Sequence, residues 1–304
     1  MKNISEYKNG NALISIFDDG TRIIKFEDEL KLEYPLNIDI RVSTQCSFGQ
    51  KPDGSPGVCT FCHESAKVNG SECDYEKLKG KLNDLPKGIE LAIGCNNMTI
   101  GLKNFIIWCS FTKKYICNIT LNQGHIKKNW DLIETLINQG HIKGLGISYR
   151  SSLKWNVPQS ILDYQNTVFH VIAGIDDIDD IKELANKGVR KILILGEKDF
   201  GYNKGKVDLN SRKHKHWRWF LPDLFKLFEV VSFDNLALEQ LKPERFLTKK
   251  DFDTFNQGEY SMYINAVNGY YSPSSRSNHK MYWNKIRIKE FFSIKDYFDK
   301  CYPK

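Results

Sequence analysis

"TVFHVIAGIDDIDDIKELANKGVRKILILG", residues 167–196, contains a complete strand–helix–strand unit. Its two ends, 167–174 and 189–196, are short apolar runs, which favours buried strands. The segment between them, 176–187, repeats apolar side chains at helical spacing among charged ones, which predicts an amphipathic helix. A strand, a helix and a second strand in so short a stretch indicate two parallel strands joined by a right-handed crossover.

The same rhythm extends in both directions along the chain. Further apolar runs occupy 36–43, 88–94, 115–121, 142–148 and 228–233, and further helices are predicted near 74–83, 101–112, 126–139 and 213–227. Seven strands alternating with helices predict an α/β fold, a partial or near-complete (βα) TIM-like barrel of parallel strands. A doubly wound parallel sheet is the alternative.

The two flanks differ from this central region. Residues 11–28 predict a β-hairpin around Asp18-Asp19-Gly20, the alternative being an irregular arm. In the tail, 259–267 predicts one more strand and 272–278 a loop, and a basic, aromatic-rich segment ends the chain. We therefore divide the chain into an N-terminal β-hairpin extension (1–35), the barrel (36–240) and a C-terminal extension packing on the barrel (241–304).

Composition limits the class of protein. The chain has 304 residues, 41% of them hydrophobic, which is enough for a sizeable core. Its formal net charge of +7 is too small to demand nucleic acid, although it favours an acidic partner. Neither a signal peptide nor a membrane-length apolar run is recognisable, so we expect a cytoplasmic protein without a membrane partner. In that compartment the 8 cysteines are better interpreted as metal ligands or redox groups than as disulfides.

Three of these cysteines share the loop that follows the first barrel strand. Cys59 and Cys62 are separated by two residues, and Cys46 and Cys59 are separated by twelve. Ligands of parallel α/β folds gather at the carboxyl ends of strands, so this loop lies on the expected functional face. A structural zinc ion wants four ligands, for which His63 or Cys73 is available. An iron–sulfur cluster with three thiolates keeps one iron open, as a catalytic centre requires.

The segment Cys59-Thr60-Phe61-Cys62 resembles the motif of radical S-adenosylmethionine (radical SAM) enzymes. That family carries CxxxCx(aromatic)C in the loop after the first strand of a partial (βα)6 barrel. Here the aromatic is in place, but the first gap is twelve residues instead of three, which we interpret as an insertion, "GQKPDGSPG" (49–57). A flexible insertion can still return Cys46 to the other two cysteines. The resemblance covers residues 36–235.

The resemblance implies a [4Fe-4S] cluster held by Cys46, Cys59 and Cys62, with S-adenosylmethionine on the fourth iron. One-electron reduction would cleave the sulfonium, and the 5′-deoxyadenosyl radical would abstract hydrogen from an unknown substrate. The chemistry implies an electron donor such as a flavodoxin or ferredoxin. Whether the substrate is a peptide, a nucleotide or RNA, or a small molecule stays open.

The ends of the next strands supply candidate cofactor-binding residues. Relatives hold the cofactor's ammonium at a Gly-Gly-Glu-like turn after the second strand, which here reads Gly-Cys-Asn-Asn and lacks the acidic group. The candidates are Phe61, Gly94, Cys95, Asn96, Asn118, Thr120, Asn122, Ser148, Arg150 and, less directly, Ser152. Arg150 suits a carboxylate because its planar fork can bind both oxygens. For the turn and strand-end residues, structural capping is the alternative.

Substrate contacts are expected from later strand ends. Lys198 lies in the glycine-containing loop 196–205, which we interpret as a lid or substrate loop, or alternatively as a solvated turn. Asp234 and Asn235 follow the seventh strand and either contact substrate or cap the next helix.

Two other functions compete with the enzyme. One is a zinc-stabilised protein whose basic, aromatic C-terminus binds nucleic acid. The other is a degenerate family member that keeps the cluster without turnover, because its Gly-Cys-Asn-Asn turn (94–97) has lost the acidic residue.

Overall fold

The computed structural model describes residues 1–150, 155–243, 260–285 and 293–301. The first element is an antiparallel sheet of β1 (Asn3–Asn9), β2 (Ala12–Phe17) and β3 (Arg22–Lys25). The predicted hairpin is confirmed as β2 and β3, with Leu13 opposite Lys25. The polar segment of β1 was not predicted as a strand, because only its pairing with β2 makes it one.

A larger sheet contains the seven predicted parallel strands. In chain order the strands of this region are β4 (Asn37–Arg41), β5 (Gln45–Gln50, outside this sheet), β6 (Glu90–Gly94), β7 (Ile116–Asn122), β8 (Gly144–Ser148), β9 (Thr167–Ile172), β10 (Lys191–Leu195) and β11 (Val230–Phe233). Their order across the sheet, apart from β5, follows the chain order. The expectation of an α/β fold is therefore confirmed.

The tail extends the sheet beyond β4. The strand predicted within 259–267 is confirmed as β12 (Ser261–Asn265), which lies parallel to β4 with Ile264 beside Ile40. Two further strands, β13 (Tyr270–Ser272) and β14 (Met281–Tyr282), add antiparallel and were not predicted. Among the described residues the larger sheet thus has ten strands and is open, with β11 and β14 at its edges.

Helices follow most of the parallel strands, as the sequence pattern predicts. They are α1 (Tyr75–Leu82), α2 (Ile100–Ile107, continued by a π-helical turn, Trp108–Thr112), α3 (Gln123–Asn138), α4 (Gln159–Asp163), α5 (Ile178–Asn186), α6 (Arg212–Leu227), α7 (Asn235–Leu241) and α8 (Ile294–Cys301). Polar side chains begin several of them: the Thr99 hydroxyl accepts from the Leu102 N–H at 3.2 Å, and Asn122 accepts from the Gly124 N–H at 2.8 Å. Across the described ranges, no helix is both long and apolar enough to cross a membrane.

The two faces of the parallel sheet have different chemistry. In β7, Cys117, Ile119 and Leu121 are buried in the main apolar core. The alternate residues Asn118 and Thr120 point to the other face, which is polar and borders two cavities. The strands therefore anchor themselves through one face and present functional groups on the other.

The N-terminal sheet closes the amino ends of the parallel strands. Its core residues Ile14 and Ile16 pack in a second apolar cluster with Ile116, the first residue of β7. Arg22 pairs with Glu90 at the start of β6. A cavity of about 910 Å³ lies between this sheet and the strands. The carboxyl ends of the parallel strands, at the opposite end of the sheet, line the second cavity, which is described next.

Candidate active site

A cavity of about 370 Å³ lies at the carboxyl ends of the parallel strands. It brings together twelve sequence-predicted residues from separate parts of the chain. They are Cys46, Cys59, Phe61, Cys62, Gly94, Cys95, Asn96, Thr120, Asn122, Ser148, Arg150 and Lys198. Asn118, Asp234 and Asn235 do not line this cavity, and Ser152 lies outside the described residues.

The insertion between Cys46 and Cys59 folds back on itself. The Val58 N–H donates to the Phe48 carbonyl at 2.9 Å, so residues near the two cysteines are directly paired. Beyond that pair, the Lys51 N–H donates to the Ser55 carbonyl at 3.1 Å, and the tip is exposed. A Cβ at Gly57 would lie 2.3 Å from the Phe48 oxygen, so this crossing requires glycine. The long gap therefore closes as a hairpin-like turn.

A tight turn and two supports hold the Cys59–Cys62 pair. The Cys62 N–H donates to the Cys59 carbonyl at 3.0 Å. From β4, Arg41 Nε lies 2.6 Å from the Glu64 carboxylate, and its Nη2 donates to the Glu64 carbonyl at 2.7 Å. From the loop after β10, the Tyr202 N–H donates to the Cys62 carbonyl at 3.0 Å.

The three loop thiols share one electrostatic environment. They are half-buried free thiols, whereas Cys73, Cys95, Cys109 and Cys117 are buried ones. Burial raises the pKa of Cys59 to about 11; the nearby Arg150 guanidinium opposes this, and the thiols of Cys62 and Cys46 add to it. Burial also raises the pKa of Cys46. A metal or cluster bound here would have to displace protons from these thiols.

The described side chains do not form a compact metal-ligand group. Within the described ranges, no three His, Cys, Asp or Glu side chains stand together as they would around a metal ion. Cys46, Cys59 and Cys62 nevertheless lie near enough that the thiols of Cys46 and Cys62 raise the pKa of Cys59.

The turn after β6 is hydrogen-bonded to the segment between β4 and α1 that carries Cys46, Cys59 and Cys62, which we call the cysteine loop. The Asn96 side-chain amide donates to the Ser43 carbonyl at 3.2 Å. The Cys95 thiol lies 3.4 Å from the Thr120 carbonyl oxygen, to which it donates, and burial raises its pKa. Glu72, an acidic residue absent from the predicted site, accepts from the Thr99 hydroxyl at 2.7 Å at the end of this turn. The turn is thus structurally anchored while it lines the cavity.

The polar residues of β7 border two different cavities, one at the carboxyl ends of the strands (the upper cavity) and one at their amino ends. Asn122 and Thr120 line the upper cavity, and Asn122 also caps α3. Asn118 lies lower, where its amide donates to Glu90 at 3.2 Å and borders the cavity next to the N-terminal sheet. Thr120, Ala92 and His170 border both cavities.

Arg150 makes internal contacts at the end of β8. Its Nη1 lies 3.2 Å from the Asp176 carboxylate, and both side chains are largely buried. Its guanidinium also stacks 4.6 Å from the centre of the Phe61 ring. Burial raises the pKa of Asp176, while Arg150 opposes this. Arg150 Nε is buried without a hydrogen-bond partner in the described residues. Ser148 lines the cavity beside this pair.

The candidate substrate residues separate into two places. Lys198 lines the cavity, with Nζ 3.4 Å from His63 Nε2 and 3.3 Å from the Ser275 hydroxyl. Asp234 caps α7, since its carboxylate accepts from the N–H groups of Gly196 and Ala237 at 2.9 and 2.7 Å. Asn235 is the first residue of that helix. Asp234 therefore caps α7, as the capping alternative predicts.

The loop 196–205 docks onto the cysteine loop. The Tyr202 hydroxyl lies 3.0 Å from Gln50 and 3.2 Å from the Ser65 carbonyl. Gly201 has a φ of +66°, and a Cβ there would lie 2.3 Å from the His63 oxygen. The loop thus packs against protein, and the solvated-turn alternative is wrong for its middle.

Several cavity residues were missed by sequence reasoning. They are Asp39, Arg41, Glu64, His125, His170 and Tyr263, whereas His63 was considered as a zinc ligand. Asp39 and Arg41 were recoverable, because they alternate with the buried Ile38 and Ile40 in β4. His125, whose Nε2 lies 3.4 Å from Cys46 Sγ, carried no comparable signal. Burial lowers the pKa of His125 and of His170 to about 4.

The comparisons with known proteins give no assignment. No protein-family model matches this chain. No curated protein is significantly similar to it. A proposal for its function therefore depends on the motif and on the residues of the cavity.

Proposed function

We propose that this chain is a radical SAM enzyme whose [4Fe-4S] cluster is bound by Cys46, Cys59 and Cys62. The observation that carries the proposal is that three half-buried thiols of one loop face a single cavity. The same cavity takes polar residues from the carboxyl ends of β6, β7 and β8. This is where parallel α/β enzymes bind cofactors.

We also infer that the parallel sheet is curved into a partial (βα) barrel. One cavity is lined by side chains from six strands of the sheet, from β4 to β10, and from β12. The strand order has no reversal of the kind that defines a doubly wound sheet. β12 lies beside β4, the place that the last strand of a closed barrel would take, while β11 and β14 are the open edges of the sheet among the described residues.

The chain's own residues would position two bound groups. When bound, the cluster would supply the electron that cleaves S-adenosylmethionine, so that the released adenosyl group takes a hydrogen atom from substrate. Thr120, Asn122 and Ser148 would offer hydrogen bonds to the cofactor's ribose and amino acid groups. Phe61, held by Arg150, would pack between the cysteine loop and β8. The net charge of +7 suits an acidic electron donor such as a flavodoxin or ferredoxin.

The zinc alternative makes different demands on the same residues. Of its two candidate fourth ligands, Cys73 does not line the cavity. His63 does, but its Nε2 lies 3.1 Å from Glu64 and 3.4 Å from Lys198. Either Cys73 or His63 would have to move before it could complete a four-ligand zinc site.

Metal analysis after oxygen-free purification tests the proposal. We expect iron and sulfide, and we expect 5′-deoxyadenosine when S-adenosylmethionine and dithionite are added. Replacing Cys59→Ala should abolish both. Cys73→Ala, which removes a buried thiol away from the cavity, is the matched control and should retain both.

Three other outcomes would contradict parts of the proposal. Stoichiometric zinc without iron would overturn the cluster. A cluster that yields no 5′-deoxyadenosine would instead support the degenerate alternative. Retention of the full iron content by the Cys59→Ala protein would overturn the ligand assignment.

A further inference from the structure

Lys198 places a positive charge in the cavity next to His63, the residue that follows Cys62. Lys198 itself follows β10, whereas the predicted cofactor residues follow β6, β7 and β8 or belong to the cysteine loop. Across the described residues, no carboxylate lies within ion-pair distance of its Nζ. Its close contacts are the His63 ring and the Ser275 hydroxyl.

Lys198 forms no ion pair with a described residue, although its charge acts on the nearby carboxylates of Asp39, Glu64 and Asp234. His63 Nε2 lies 3.1 Å from the Glu64 carboxylate, a contact that requires a proton on that nitrogen. The ammonium then faces an N–H instead of an acceptor, and among the described residues only the neutral Ser275 hydroxyl accepts a hydrogen bond from it. Glu64 is itself paired with Arg41 at 2.6 Å. An ammonium held this way in a partly enclosed site favours an anionic ligand.

The carboxylates nearest to Lys198 have other surroundings. Asp234 lies near enough for Lys198 to lower its pKa, but its carboxylate accepts the backbone N–H groups of Gly196 and Ala237. Asp39 also lines the cavity, and its side chain is exposed to the cavity space. Asp39 can therefore accept a hydrogen bond from a second part of the same ligand.

We propose that Lys198 binds a carboxylate or phosphate group of a small-molecule substrate, whose hydrogen-bond donor lies toward Asp39. The inference rests on the proposed function, because it places the substrate beside the cysteine loop. Arg150, the side chain suited to the cofactor's own carboxylate, is a different residue from Lys198 and is paired with Asp176.

Calorimetric titration of the full chain with inorganic phosphate, and separately with acetate, tests this proposal. At constant pH and ionic strength we expect one of the two anions to bind. Lys198→Met should weaken that binding at least about tenfold, the loss expected for a charge-assisted hydrogen bond. The matched control is Lys204→Met, an exposed lysine of the same loop, which should bind as the wild type does. The anion that binds more tightly identifies the substrate group.

Equal affinities in wild type and Lys198→Met, or no binding of either anion by the wild type, would overturn the proposal. A parallel titration with S-adenosylmethionine adds a second test. If Lys198→Met loses that cofactor's binding, the anion belongs to the cofactor and the substrate assignment is overturned. Anion binding requires neither cluster nor turnover, so its failure is distinguishable from failure of the proposed function.

Discussion

Arg150 shows how a residue expected to bind a ligand can be used first by the fold. Its guanidinium joins Asp176 and the Phe61 ring, which connects the end of β8 to the cysteine loop. Asp176 also accepts the Ile172 N–H at 2.6 Å. Burial opposes ionisation of Asp176 more than Arg150 favours it. The pair therefore fixes geometry without being a large source of net stability, but breaking it leaves a buried charge without its partner.

Replacing Asp176→Asn should lower the free energy of unfolding by about 2–3 kcal/mol, because Arg150 would stay buried without its counter-charge. Urea denaturation measures this. The exposed Asp179, paired with Lys182, is the control, and Asp179→Asn should change stability by less than about 0.5 kcal/mol. Equal effects of the two substitutions would show that the Arg150–Asp176 pair contributes no more than a surface pair.

At the scale of elements, the loop 196–205 acts as a strap over the cysteine loop. Lys198 enters the cavity and Gly201 lies against the backbone of Cys62 and His63. The Tyr202 hydroxyl bonds to Gln50 within the insertion and to the Ser65 carbonyl beyond it. Its partners lie more than one hundred positions earlier in the chain. Such contacts leave no periodic pattern in the sequence.

Gly201→Ala should displace this strap, because its Cβ would meet the His63 oxygen at 2.3 Å in a left-handed backbone. On the proposed [4Fe-4S] cluster, we expect iron content after oxygen-free purification to fall by half or more. Gly205→Ala is the matched control: its φ is also positive, but nothing lies within 4 Å of the added Cβ. It should cost about 1 kcal/mol from backbone strain alone and keep its iron. Equal iron loss in both variants would reject the strap.

Strands, helices and the polar inner face were predictable because they follow from local periodicity. β7 illustrates this, since from Cys117 to Asn122 its buried and polar residues alternate. The cavity was predictable in part, because the carboxyl ends of parallel strands must meet. Asp234 shows the limit: the same residue type serves a cap or a ligand, and only the position of Gly196 decides between them. β13 and β14 depend on each other for pairing and gave no separate signal.

At the scale of the whole molecule, the polar face of the parallel sheet carries a histidine, His170, whose protonation by acid should cost stability. Burial, reinforced by Arg150, lowers the pKa of His170 to about 4. The unfolded chain binds that proton near pH 6.5, so between pH 6.5 and 4 the unfolded state binds more protons than the folded state. Stability from this group is therefore complete above pH 6.5 and falls as the pH decreases toward 4.

His170→Gln should reduce the loss of stability between pH 6.5 and 4 by about 1–2 kcal/mol, an amount that allows for water in the two cavities. Chemical denaturation at a series of pH values measures it. The exposed His279→Gln is the control and should keep the wild-type pH dependence. An unchanged pH dependence in His170→Gln would contradict the assignment to His170.

The hairpin-like turn between Cys46 and Cys59 separates the position of the thiols from the length of chain that joins them. The Phe48–Val58 hydrogen bond fixes the base of the turn, while the tip at 51–54 projects into solvent. Residues can be gained or lost at the tip without moving either sulfur. A search pattern that fixes the number of residues between the first two cysteines will therefore miss loops of this kind. A pattern that allows a variable gap ending in a glycine, as Gly57 does here beside β5, will find them.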